Sequence, residues 1–74
     1  METLKAITAA RAALILDQPF FGALALRLRV KIDDTCPTAY TDGTVLGFNP
    51  EFVDGLTARE LQGLVAHEVL HCAC

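Results

Sequence analysis

The sequence predicts an α+β fold: an N-terminal helix, a small antiparallel sheet or hairpin, and a C-terminal helix. Three observations carry this. Residues 2–17 are rich in Ala and Leu and contain no Gly or Pro, which favours a helix. Residues 24–33 alternate apolar and polar with the period of a half-buried strand. Thr57-Ala58-Arg59-Glu60 is a capping box that starts a second helix.

Within the first helix Leu4, Ile7, Leu14 and Ile15 share one arc, and Arg11 sits in the middle of it. Arg11 has two readings: a stem that snorkels to the helix rim, or a structural ion pair with an acid elsewhere, since a buried charge needs a partner. Pro19 ends the helix, because the residue before a proline is pushed out of the α region. The strand follows, with Leu24, Leu26, Leu28, Val30 and Ile32 inward. The Arg27, Arg29 and Lys31 row suggests an anion site, but the wet face of an antiparallel strand explains it more simply. Asp33 to Pro37 is a turn. Asp42-Gly43 marks a hairpin, with Ala39–Thr41 entering and Thr44–Phe48 leaving. Asn49-Pro50 stops the second strand, and Glu51–Asp54 forms one helical turn. The last helix runs from Ala58 through Cys72, with Leu61, Val65, Val69 and Cys72 on its core face.

Composition narrows the function classes. With 74 residues the chain forms one small domain. Hydrophobic residues make up 53% and charged ones 20%, too apolar a balance for disorder. Nine acidic residues against six basic ones disfavour nucleic acid as a partner, because that mode neutralises phosphates. The longest apolar run, Ala12–Leu16, is five residues and falls well short of a membrane span. Glu2, Lys5 and Arg11 break up any signal-peptide core. Three cysteines, an odd number, make no disulfide framework, so the expected location is cytoplasmic.

The chemistry lies in His67-Glu68-Val69-Leu70-His71, an HExxH motif. Residues four apart lie one above the other on a helix, so His67 and His71 can converge on one Zn2+. Glu68 lies about 100° around the helix and serves as general base rather than ligand. Gly63, one turn earlier, either leaves room for a close approach or is simply tolerated. Without a metal, the pattern reduces to two surface histidines on an amphipathic helix. A catalytic zinc takes three protein ligands. Cys74 is on the ligand face but sits about 4.5 Å further along the axis than His71, which makes it a poor third. Cys72 points to the core side as a small buried hydrophobe. The chain stops in mid-helix without a Gly or Asn signal, so it is expected to be the N-terminal part of a longer protein, a truncated copy or a fragmentary gene model.

The stretches PFFGALALRL, TDGTVLGFNPEFVDGL and ELQGLVAHEVLHCA resemble the bacterial putative metallopeptidase domain that is usually followed by a von Willebrand factor A-like domain. The resemblance covers essentially the whole chain. It implies zinc-dependent hydrolysis of a peptide or protein substrate, with His67 and His71 as metal ligands and Glu68 as the catalytic glutamate. It also implies further histidines a few residues after the second ligand, at positions this sequence does not contain. A zincin-like arrangement would let an edge strand align an extended peptide. Thr44–Phe48 is the expected edge. The alternatives are a catalytically inactive remnant, a metal-stabilised binding module, or a purely structural helix–sheet fragment.

Overall fold

The computed structural model describes residues 2–73, and side chains from Glu2 to Cys72. It is a mixed α+β fold, with N-terminal helices, a three-stranded sheet and a C-terminal helix.

Helix α1 spans Glu2–Asp17, as the sequence predicts. Its buried face differs from the expected one. Thr3, Ile7, Ala10 and Leu14 are buried, while Leu4 is 41% exposed. Alanines surround this helix, so the faces that meet its neighbours decide what is buried. At Gly22 the approach is close enough that an added Cβ would fall 2.3 Å from the Ile15 Cα.

Helix α2, Pro19–Leu26, corrects the expected strand over residues 24–33. Pro19 ends α1 and also begins α2, since its fixed φ suits the first helical position. Leu24 and Leu28 are spaced i, i+4, so the first half of the apolar alternation also fits a helix. Strand β1 is only Arg29–Ile32, with Arg29 and Lys31 exposed and Val30 and Ile32 half-buried.

Arg11 follows neither of its two readings. Its Nη2 donates to the carbonyls of Ala25 (3.1 Å) and Leu28 (3.2 Å). The guanidinium thus meets the carbonyl end of α2, where a cation is favoured. Burial lowers its pKa. Among the described residues, Arg11 Nε is fully buried without a partner.

Strands β2 (Ala39–Thr41) and β3 (Val45–Phe48) form the expected hairpin. Gly43 has φ +91°, and Asp42 Oδ1 accepts from the Thr44 and Val45 amides at 2.9 and 2.8 Å. The sheet order is β1-β3-β2, with β1 parallel to β3 and Arg29 opposite Val45. Two expectations fail here: the sheet is mixed rather than antiparallel, and β3 is the central strand. Thr44–Phe48 therefore cannot align a peptide as an edge. Its sequence carries the reason, because Val45-Leu46-Gly47-Phe48 is an unbroken apolar run suited to burial on both faces. Leu46 and Phe48 are fully enclosed, and the Tyr40 ring occupies the space a side chain at Gly47 would need.

Asp33 leads out of β1 and accepts from the Thr35 amide (2.9 Å), the Thr35 hydroxyl and the Tyr40 hydroxyl (3.1 Å). The Thr35 hydrogen bonds hold its carboxyl below the usual range. Helix α3, Pro50–Asp54, is capped by Asn49 Oδ1 accepting from the Phe52 amide. Helix α4, Ala58–Ala73, then packs against α1, α2 and β2. Its capping box closes in both directions. Glu60 Oε1 accepts from the Thr57 amide at 2.8 Å, and Thr57 Oγ1 accepts from the Glu60 amide at 3.1 Å. Leu61, Val65 and Val69 enter the core beside Ile7, Leu14, Leu46 and Phe48. Among the described residues no helix is long and apolar enough to cross a membrane.

Candidate metal centre

The capping box fixes where α4 begins, and that start sets the direction in which each later side chain points. At 3.6 residues per turn, Leu61, Val65 and Val69 share the buried stripe, while His67 and His71 fall on the far side. Both histidines are exposed. Their rings stand edge to face at 87° with centroids 4.5 Å apart, and their Nε2 atoms are 3.0 Å apart. The spacing read from the sequence therefore brings the two proposed ligands together.

This separation can be tested against zinc. Two nitrogens about 2.0–2.1 Å from a tetrahedral ion lie about 3.3 Å apart. Opening the pair by a few tenths of an ångström would meet that distance, and exposed side chains move that far at little cost. Imidazole nitrogen is also a preferred zinc donor. Among the described residues no third His, Cys, Asp or Glu joins the pair. Cys74, weighed as a third ligand, lies outside the described residues.

Glu68 is drawn inward. It is 8% exposed, on the flank of the helix between the core stripe and His71. It thus lines the rim of the core rather than standing in solvent beside the imidazoles.

Two neighbours depart from expectation. Cys72 is exposed rather than buried, and its Sγ lies 3.0 Å from Thr41 Oγ1, with either group able to donate. It shares the angular stripe of Leu61 and Val65, but the helix has passed the end of the core by then. Gly63 has open space where a Cβ would stand, so no close approach explains it. A groove of about 510 Å³ runs between α1 and the first turns of α4, lined by Ala6, Ala13, Leu56 and Gln62 among others. The histidines do not line it; the histidine pair stands on an exposed helix face.

Comparison with known proteins bears on this site. The sequence profile of the family described as putative metallopeptidase domain matches residues 2–74. The chain belongs to that family. No curated protein matches, and no solved structure does either. Membership in the putative metallopeptidase domain family implies a metal, and His67 and His71 form the donor pair on α4 suited to hold one. Sequence reasoning missed Thr41 as a neighbour of the site. It is 31 positions from Cys72, and only the packing of β2 against α4 brings them together.

Proposed function

We propose that this domain is a zinc-dependent metallopeptidase that hydrolyses peptide bonds, with His67 and His71 holding the metal and Glu68 as general base. The observation that carries this reading is the pair of Nε2 atoms 3.0 Å apart on the exposed face of α4, with Glu68 the next residue after His67. Family membership supports it. Zinc, when bound, supplies Lewis acidity that brings the pKa of a coordinated water towards about 7. Both histidines must present unprotonated Nε2 atoms to serve as ligands. The Glu68 carboxylate takes a proton from the attacking water and returns it to the departing amine nitrogen. Three protein ligands are the rule for a catalytic zinc, so the reading requires a third donor from outside the described residues. The substrate is a peptide or protein. A von Willebrand factor A-like domain following this one and a cytoplasmic setting complete the proposal.

The test is Glu68→Gln beside His67→Ala, assayed for zinc content and for cleavage of peptides and unfolded proteins. Glu68→Gln is expected to keep zinc and lose activity by about 10²–10⁴-fold, while His67→Ala loses zinc. Undiminished cleavage by Glu68→Gln would remove Glu68 from the mechanism. A wild-type protein that binds zinc and cleaves nothing would point to a metal-stabilised binding module, and one that does neither to an inactive remnant.

A further inference from the structure

Packing gives no reason for a glycine at position 63. Glycine weakens a helix interior more than any residue but proline. Gly63 is exposed, and nothing lies within 4 Å of where its Cβ would stand. Its place on α4 is more telling. Arg59, Gly63, His67 and His71 follow one another at intervals of four, so they form one ridge along the helix, and all four are exposed. The bare backbone at Gly63 leaves that ridge open from the histidine pair back to Arg59.

A cavity of about 220 Å³ flanks this stretch, lined by Leu14, Asp17, Arg59, Gln62 and Gly63 among others. Both acids beside it are already engaged. Asp17 Oδ2 accepts from Gln62 Nε2 at 2.7 Å, and Glu60, next to Arg59, is turned back onto the Thr57 amide at 2.8 Å. Among the described residues Arg59 has no ion pair and no side-chain hydrogen bond. Its own helix gains nothing from it either, because a cation in the first turn stands against the macrodipole.

We infer that this ridge is the track on which the peptide substrate lies, and that Arg59 receives a carboxylate of the substrate. At about 1.5 Å per residue, Arg59 lies about 12 Å along the axis from His67. An extended chain covers about 3.3 Å per residue, so the carboxylate belongs about four residues from the bond that is cut. It comes from an acidic side chain or from the C-terminus of the substrate. The inference rests on the metallopeptidase reading for the cut, whereas the track is a property of the metal-free chain.

Two measurements on the full chain test it. Fluorescence anisotropy follows the binding of labelled peptides to the metal-free protein, and cleavage is followed with zinc present. One peptide set is amidated and uncharged except for a single glutamate, moved position by position. The other has no glutamate and a free C-terminal carboxylate. Metal-free protein should bind at least one set about fivefold more tightly than the uncharged, amidated parent, the upper range for an exposed ion pair. The set that gains identifies the source of the carboxylate. Arg59→Gln should erase the gain. Asp17→Asn removes the negative charge of the cavity and should tighten binding about twofold. Gly63→Leu should raise the thermal midpoint by about 4 °C, since leucine is the better helix former, yet weaken the binding of every peptide several-fold. Cleavage should favour a carboxylate about four residues from the cut.

Equal binding of charged and uncharged peptides, or a gain that survives Arg59→Gln, would overturn the assignment of Arg59. Looser binding in Asp17→Asn would mean that the cavity takes a cation, and would overturn the carboxylate. A Gly63→Leu protein that is more stable and binds as wild type does would overturn the track. Cleavage indifferent to where the carboxylate stands would overturn the inference and leave the metallopeptidase reading intact. Arg59-dependent binding by a protein that cleaves nothing would support the track and count against the metallopeptidase reading instead.

Discussion

Helices α1 and α4 are each sixteen residues long and pack against each other, yet they use their surfaces in opposite ways. In α4 the fully buried apolar side chains Leu61, Val65 and Val69 form one stripe, its own Thr57 and Glu60 close its first turn, and the histidines take the opposite face. In α1 alanine covers most sides, and its one central cation, Arg11, reaches out to the carbonyl end of another helix. A helix with segregated large residues determines its own orientation. A helix of small residues takes its orientation from its neighbours.

Three tests, the first a pair of substitutions, probe that contrast, from the largest expected effect to the smallest. Leu14→Ala should destabilise the fold by about 3 kcal/mol, as emptying a fully enclosed site does, whereas Leu4→Ala should change stability by under about 0.5 kcal/mol. Urea unfolding of both would measure the difference, and equal losses would restore the arc expected from sequence. Arg11→Met keeps the stem but removes two hydrogen bonds to carbonyls, and about 2 kcal/mol should go with them. The loss should appear as faster amide exchange concentrated in α2; a loss confined to α1 would show that Arg11 serves its own helix. Thr57→Ala should cost about 1 kcal/mol, seen as a lower thermal midpoint. A neutral result would mean that packing alone sets the start of α4.

What could be read from the sequence follows the same contrast. The bounds of α1, the capping box, the Asp42-Gly43 hairpin and the HExxH register all depend on local chemistry, and local chemistry is written in consecutive residues. Helix α2 was hidden because Leu24 and Leu28 satisfy two periods at once, and the proline before them reads as a stop as readily as a start. The sheet order depends on which edge of β3 receives β1, a choice between partners distant in sequence. The inward lean of Glu68 and the exposure of Cys72 depend on where the core ends along α4. A helical wheel gives direction around the axis but not how far along it the neighbours extend.

Gly47 ties the centre of the sheet to its margin. Because position 47 offers only a hydrogen, the Tyr40 ring can lie across β3 while its hydroxyl reaches the Asp33 carboxylate at the exit of β1. A methyl group there would evict the ring, so the damage would surface first in the 33–38 loop, several residues from the altered atom.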